Sequence, residues 1–296
     1  MNIENLKLFC LVIEEGSLTY AARKSYISQP AATKKIGQLE DEYGALLFER
    51  VSGGLHPTHA GEVLYPFAKE IIEHYKRSVD AIHEVTGHEN ILINVGASLT
   101  IGEYLLPRLL GYFKKEYPQM TFSLVLGNTP TILAKLELNE IDIALVEGLY
   151  DNDQFIKEKF AEDELILVTS NEHHWKNRKS IQLDDLTEEK MIWREPESGS
   201  RIMVERFLEE HGVLFQIESA MEMGSIQSVK SAVEAGLGVS ILPKLTVLKE
   251  LEYGTLCEIP IEGVKLSREL YIVQKPQRFK KIGLTYFADF IRGALW

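Results

Sequence analysis

An α/β protein carrying a small, helix-rich head at its N-terminus is the fold that the 296-residue sequence predicts. Three observations predict it. Up to Gly44, apolar residues recur at spacings of three and four, the period of amphipathic helices. A narrower apolar stripe then continues through residues 58–86 without a turn signal. From Ile91 onward, short β-branched runs alternate with helical stretches, the pattern of α/β sheets.

Composition narrows the class. Hydrophobic residues make up 45% of the chain and charged residues 26%, enough apolar material for the cores of two domains. No run of about 18 apolar residues is available for a membrane span. The start, Met1 to Phe9, lacks a basic stretch followed by an apolar one, so no secretory signal is expected. Cys10 and Cys257 are the only cysteines, too few for a disulfide framework and wrongly spaced for zinc. The expectation is a reduced, soluble, cytoplasmic protein with no membrane partner. A net charge of −12 argues against nucleic acid, because phosphate contacts need Lys and Arg. Residues 1–58, however, hold six basic against seven acidic side chains, so nearly all of the surplus lies downstream.

In the head, Leu6, Phe9, Cys10 and Ile13 form the stripe of a first helix, which Asn2 can cap and Gly16 can end. Ser17 offers the cap of a short second helix, where Ala21 and Ala22 are small enough for another helix to cross closely. Ser28-Gln29-Pro30 reads as a third start, a serine cap with proline in the first turn, where its missing N–H costs little. Ala32, Ile36, Leu39 and Tyr43 then share one face, and Gly44 closes the helix. Gln29, Pro30, Thr33, Lys34 and Gln38 share the other, with Lys35 at the flank. That outer face suits a DNA major groove: Gln29 can bond base edges, the Thr33 methyl can touch a thymine methyl, and Lys34 can reach guanine or phosphate. Two short strands around Ser52-Gly53-Gly54 complete a winged helix-turn-helix with Arg50 at the base of the wing. A plain three-helix bundle whose lysines only solvate the surface remains the alternative on pattern alone.

The ordered run Phe9, Ala21-Ala22, Ser28-Gln29-Pro30-Ala31, Gln38-Leu39-Glu40, Leu47-Phe48-Glu49-Arg50 and Thr58-His59-Ala60-Gly61 resembles the LysR-type transcriptional regulators. The resemblance implies that Gln29, Pro30, Thr33 and Lys34 read bases, while Arg23, Lys35, Arg50 and Thr58 hold the DNA backbone or the wing. The family most often has Ser at Thr33 and frequently Arg at Lys34. Lysine cannot fork bidentately onto guanine, so the exact operator bases do not follow from the resemblance.

Leu64, Phe67, Ile71, Tyr75, Val79, Ile82 and Val85 make a narrow seam on a helix of about 40 Å, the edge of a coiled coil. The alternative is a helix packed on its own domain. Pro66 should bend or break it. By resemblance this is a dimerisation linker that pairs two heads on a partly palindromic, A·T-rich site. His83-Glu84 followed by His88 resembles a zinc-protease motif, but the second His falls at i+5, off the face, so the three are read as solvated residues. Gly87-His88-Glu89-Asn90 reads as a hinge.

Beyond it the candidate strands are 91–97, 121–127, 141–147, 163–170, 191–194, 215–222, 238–242, 256–260 and 268–274. The candidate helices are 102–116, 129–139, 200–211, 225–236 and 281–294. Alternation of this kind implies parallel sheets. The resemblance implies a two-lobed, periplasmic-binding-protein-like effector domain. The organisation expected is a head over 1–58, a linker over 59–89 and an effector domain over 90–296. Within the last, lobe 1 takes about 90–161 and 268–296, and lobe 2 about 162–267.

Anion capture at helix starts is the chemistry to expect in such a cleft. Four loops open helices: Ala97 to Gly102, Asn128-Thr129-Pro130, Glu197-Ser198-Gly199-Ser200-Arg201, and Met223-Gly224-Ser225. Each alone is only a capped helix. With the family's cleft as guide, Ser98, Thr100, Thr129, Ser198, Ser200, Arg201, Gly224 and Ser225 are the candidate effector residues, with Arg201 equally able to pair with Glu197 or Glu205. Glu147, near the hinge, would repel a carboxylate and suits an amine or hydroxyl. The expected effector is a small anion. The run from Glu197 to Arg201 is similar to that of regulators of sulfur or carbon assimilation. No cofactor is expected.

Enzymatic motifs are missing. There is no G-x-S-x-G elbow, phosphate loop or C-x-x-C, and Gly236-Leu237-Gly238 follows a helix instead of preceding one. His173-His174 reads as a surface loop. The resemblance therefore implies a ligand-responsive, non-enzymatic regulator, more often an activator, working as a homodimer or homotetramer with double-stranded DNA and RNA polymerase as partners. A two-lobed solute-binding protein or small-molecule enzyme is the alternative, and a constitutive regulator whose sensor binds nothing is a third.

Overall fold

Side-chain caps set the start of each head helix. Asn2 accepts the Glu4 amide at 2.9 Å and opens α1 (Ile3–Glu15). Ser17 accepts Tyr20 N–H and opens α2 (Leu18–Lys24), and Ser28 accepts Ala31 N–H and opens α3 (Gln29–Tyr43) with Pro30 in its first turn. Gly16 and Gly44 end α1 and α3 in the left-handed conformation that costs glycine little (φ 62° and 67°). The turn between α2 and α3 places a non-glycine, Tyr26, in that region (φ 55°). A hairpin of β1 (Phe48–Val51) and β2 (Gly54–Pro57) follows, with Phe48 opposite Pro57. Glu40 accepts both Leu47 and Phe48 amides and so ties the end of α3 to the wing. Leu6, Phe9, Ala21, Ala22, Ala32, Leu39 and Leu47 form the core of the head, all at most 2% exposed.

The long helix α4 (His59–Val85) runs unbroken through Pro66. The expected break does not occur, because a proline forfeits one hydrogen bond and the 27-residue helix retains the others. Its first turns belong to the core of the head through Leu64 and Ala68. Further along, Phe67, Tyr75 and Ile82 are exposed.

The structure, a computed structural model, describes residues 2–51, 54–86, 91–148, 154–276 and 281–294. The chain divides into two compact units, residues 1–88 with 138–140, and residues 89–137 with 141–296. The hinge expected at Gly87 to Asn90, the turn residues Ser52 and Gly53, and His88 lie outside the described residues.

In the second unit, β3 (Ile91–Ser98), β4 (Met120–Gly127) and β5 (Ile143–Glu147) are parallel, with α5 (Leu106–Glu116) and α6 (Thr129–Glu137) between them. The helix expected from 102 starts instead as a π-helical turn, Ile101–Leu105. Two long strands leave this lobe for the next: β6 (Ile156–Ser170) and β11 (Leu266–Gln274), antiparallel to each other along their length. The first part of β6 pairs with β11 beside β5, and its second part carries β9 (Ser240–Pro243) and β10 (Leu256–Glu258). The pairing slips by one residue where Leu270 and Tyr271 face Ala161 and Lys159, which leaves Phe160 as a bulge. The second lobe adds β7 (Lys190–Arg194) parallel to β8 (Glu218–Met223), joined to β9 through a bridge from Met191 to Val239. Its helices are α7 (Gly199–Glu210), α8 (Ile226–Glu234) and α9 (Lys244–Tyr253), and α10 (Ile282–Gly293) packs in the core of the first lobe.

The sheets are thus mixed, not wholly parallel, because the two crossover strands run against their neighbours. Strand β6 starts seven residues before the expected 163, and residues 214–216 form a 3₁₀ turn ahead of β8. Helix α9 has no counterpart in the sequence reading. It follows Pro243 directly and carries β-branched Thr246 and Val247, which mask a helical period. The buried Lys230 ammonium holds it to α8 by donating to Thr246 O and to Glu250.

Two glycines separate close approach from mere permissiveness. A Cβ at Gly61 would stand 2.3 Å from Leu47 O, whereas one at Gly111, on an exposed face of α5, meets nothing within 4 Å. Gly61→Ala is expected to destabilise the head by about 1–3 kcal/mol, and Gly111→Ala to stabilise the second unit by roughly 0.5–1 kcal/mol. Opposite shifts of the thermal melting temperature check the pair. Equal shifts would contradict the packing described.

Candidate nucleic-acid interface and effector cleft

The outer face of α3 is built by what its inner face buries. Ala32, Ile36 and Leu39 point into the core, so Gln29, Pro30, Thr33 and Lys34 are exposed and Lys35 is half-buried at the flank. Thr33 Oγ1 donates to Gln29 O, which fixes its rotamer. Arg23 and Arg50 are exposed at the end of α2 and on the wing. None of Arg23, Lys34, Lys35 or Arg50 enters an ion pair among the described residues. The other head lysines do: Lys7 pairs with Glu4, Lys24 with Glu15, and Lys69 with Glu14. Thr58 differs from the rest of the expected set. Its hydroxyl donates to Leu46 O at 2.7 Å and accepts Gly61 N–H, so it caps α4 and fastens the wing. Gln38, on the same outer face, accepts from Asn5 of α1.

In the second unit, the carboxyl ends of β4, β3 and β5 place Gly127, Ser98 and Glu147 at one edge of the sheet, the side on which open α/β sheets bind ligands. Thr129, the first residue of α6, donates to Glu147 O at 3.2 Å. From the other lobe, the start of α7 reaches the same place, since a Cβ on Gly199 would lie 3.9 Å from Glu147 Cγ. Ser198 and Ser200 flank that glycine, both buried, with their hydroxyls 3.0 Å apart. The structure therefore places Thr129 and the start of α7, with Ser198 and Ser200, against the strand end of Glu147, and Ser98 at the end of the neighbouring strand. Thr100 is buried on the turn after Ser98, and Gly224 and Ser225 are exposed at the start of α8.

The charges in this cleft are arranged unlike those of a simple anion site. Arg201 donates to Glu205, to Glu222 and to Arg194 O at 2.5–2.7 Å. Burial weakens its charged form, yet the two carboxylates hold its pKa above the usual value. Its pairing is thus with Glu205 and Glu222, and Glu197 is not its partner. Arg194 is forked onto Glu195.

The sequence reading missed the buried group behind the cleft. Arg268 of β11, with its side chain fully buried, donates through Nε and Nη2 to Asp163 directly across the ladder on β6. Its Nη1 lies 3.3 Å from Glu147 Oε1 without hydrogen-bond geometry. Glu147 Oε2 and Ser98 Oγ are buried and have no hydrogen-bond partner among the described residues. The signal for Arg268 was available: Leu266, Arg268 and Leu270 alternate as the inward residues of a strand.

A sequence pattern of bacterial regulatory helix-turn-helix proteins of the lysR family matches residues 3–62, and the LysR substrate binding domain matches residues 87–296. The HTH-type transcriptional regulator CysL of Bacillus subtilis (strain 168) is 32% identical over 276 residues, covering 93% of this chain and 92% of its own. Among solved structures, full-length CbnR complexed with its target DNA superposes with a TM-score of 0.73 at 22% identity over 99% of both chains. The regulatory domain of CcmR from Synechocystis PCC6803, in complex with 2-PG, does so with 0.63 at 25% identity over 68% of this chain and 95% of its own. The chain belongs to the LysR family of transcriptional regulators: a DNA-binding winged helix-turn-helix joined to a two-lobed effector-binding module. No helix among the described residues is long and apolar enough to cross a membrane.

Neither unit offers a reactive thiol in its site. Burial pushes the Cys10 thiol up to about 12, and Cys257 is half-buried at β10. At pH 8 a disulfide reagent is expected to modify one thiol per native chain, Cys257, and two after denaturation. Modification of Cys10 in the native chain would show that the head core opens readily.

Proposed function

We propose that the chain controls transcription as a homodimer whose heads read a partly palindromic, A·T-rich promoter site, and that a small molecule in the cleft around Glu147 biases that arrangement. The reader is residues 1–58, the linker 59–89 and the effector domain 90–296. Gln29, Pro30, Thr33 and Lys34 face base edges, and Arg23, Lys35 and Arg50 face phosphates. Thr58 acts on DNA only through the wing it secures. The observation that carries this reading is that Arg23, Lys34, Lys35 and Arg50 reach solvent and enter no ion pair among the described residues, whereas Lys7, Lys24 and Lys69 are paired with glutamates. The exposed Phe67, Tyr75 and Ile82 stripe of α4 is the surface through which two chains pair, two such dimers form a tetramer, and RNA polymerase is the partner through which an activator of this kind acts.

The effector is a small anion that also carries a hydroxyl or ammonium donor. Its acidic end suits the start of α7, where the helix dipole and backbone N–H groups favour negative charge beside Ser198 and Ser200. Its donor suits the orphaned Glu147 oxygen, since a buried carboxylate oxygen without a partner carries a desolvation cost that a bound donor relieves. A ligand shifts the regulator only by binding one arrangement better than the other.

Gln29→Ala is expected to lose about 1–3 kcal/mol at one base position and relax specificity there, and Lys35→Ala to weaken all sequences alike and flatten the salt slope by about one unit. Salt titrations of promoter binding against a scrambled duplex check both. Equal salt slopes for the promoter and scrambled duplexes, without selectivity, would sink the reader assignment. For the cleft, thermal-shift screening should favour hydroxy acids and amino acids over sulfate or phosphate, and Glu147→Gln should erase that preference. A preference left intact in Glu147→Gln would remove Glu147 from the effector site.

A further inference from the structure

We infer that His173, His174 and Glu189 form a binding site for a transition-metal dication of the zinc type, on the second lobe and apart from the effector cleft. Glu189 Oε1 lies 3.4 Å from His173 Nε2 and 3.5 Å from His174 Nε2. These separations are long for hydrogen bonds. They match the edge of a tetrahedron around zinc, which is about 3.3–3.4 Å for ligand bonds of 2.0–2.1 Å. One ligand atom from each of the three residues lies within 4.8 Å of the others, and no second such group occurs among the described residues.

Both backbones that carry the ligands are fixed. The loop after β6 is anchored by Trp175, which is fully buried in the core of the second lobe, and is closed by hydrogen bonds from His173 N to Ser170 O and from Lys176 N to His173 O. Glu189 follows a 3₁₀ turn and donates its N–H to Leu186 O, one residue before β7 begins. The adjacent imidazoles are held with ring centroids 4.5 Å apart, both turned to one carboxylate. The neighbouring cation, Arg178, is paired with Asp185.

Two imidazoles and one carboxylate select zinc, nickel or copper over calcium or magnesium, which prefer all-oxygen sets. Three protein ligands leave a fourth position on the half-exposed His174 side for water. Ligation through His173 Nε2 places its proton on Nδ1, which here accepts the Trp175 N–H at 3.2 Å, so metal binding costs that long hydrogen bond and turns the Nδ1–H away from Trp175 N–H. A bound ion would fasten the loop after β6 to the first residue before β7, the strand that ends at Arg194 beside the cleft loop.

Calorimetric titration of the full-length protein with Zn²⁺ alone tests the site, with Co²⁺ as the spectroscopic substitute. One equivalent of micromolar or tighter affinity is expected, with the visible bands of low-coordinate Co²⁺. His174→Ala and Glu189→Gln should each weaken it at least tenfold, while keeping the wild-type melting temperature in EDTA. Glu189→Gln is the conservative variant that guards against misfolding. No zinc uptake by the wild-type chain, or uptake unchanged in both variants, overturns the assignment.

Discussion

The buried guanidinium of Arg268 is the constraint around which the effector module is built. It sits on one of the two strands that pass between the lobes, and its two hydrogen-bonded nitrogens are taken by Asp163 on the other. A charge this deeply buried must be matched on the spot, because removing it from water costs far more than a surface pair returns. Asp163 meets that need, and it also accepts Leu245 N–H at the start of α9. The crossover, the first turn of α9 and the end of β5 are therefore fixed to one another. Glu147 adds a second carboxylate to a single cation, so the buried group carries a surplus negative charge and an oxygen without a partner. Stability alone does not call for that second carboxylate. Its place at the carboxyl end of β5, against the start of α7, is the basis of the ligand-recognition role proposed for it.

The head obeys a different logic. Its core of alanines, leucines and Phe9 fixes the orientation of α3, and its surface charges divide into two populations. Lys7, Lys24 and Lys69 are paired with glutamates, while Lys34 and Lys35 of α3 enter no ion pair among the described residues. On the reading proposed, that division reconciles a net charge of −12 with DNA binding: the cations of the reader are few and unneutralised, and nearly all of the surplus acid lies downstream of residue 58. The same surplus disfavours loose association of that part of the chain with DNA, leaving contact to the heads.

Much of this was legible in the sequence. Helix caps at Asn2, Ser17 and Ser28, and the glycine ends at Gly16 and Gly44, are local signals and stand where the sequence places them. The strand ends carrying Ser98 and Glu147, and the serines of the α7 start, were readable as loops between period-two and period-three patterns. Of the two carboxylates that hold Arg201, Glu205 was legible one helical turn away, but Glu222 was not: it is 21 residues away in sequence, and only the parallel pairing of β7 with β8 brings it there. Arg268 and Asp163 are more than a hundred residues apart, so the inward pattern of β11 marks Arg268 as unusual without naming its partner. His173-His174 reads from sequence as a surface loop, and Glu189 comes beside it only through folding, at the end of a 3₁₀ turn. Helix α9 was hidden by β-branched residues whose cost is repaid by tertiary contacts of Thr246 and Val247, both at most 2% exposed.

The central claim is that Asp163 holds the module together while Glu147 is kept for a ligand, and denaturant unfolding of two isosteric variants of the ligand-free protein tests it most directly. Asp163→Asn should destabilise the effector module by about 3–5 kcal/mol, the loss seen when one partner of a buried pair is removed. Glu147→Gln should change stability by less than about 1 kcal/mol, or raise it, since it discharges the surplus carboxylate and breaks no hydrogen bond to Arg268. A loss at Glu147 as large as that at Asp163 would make both carboxylates structural and contradict the account.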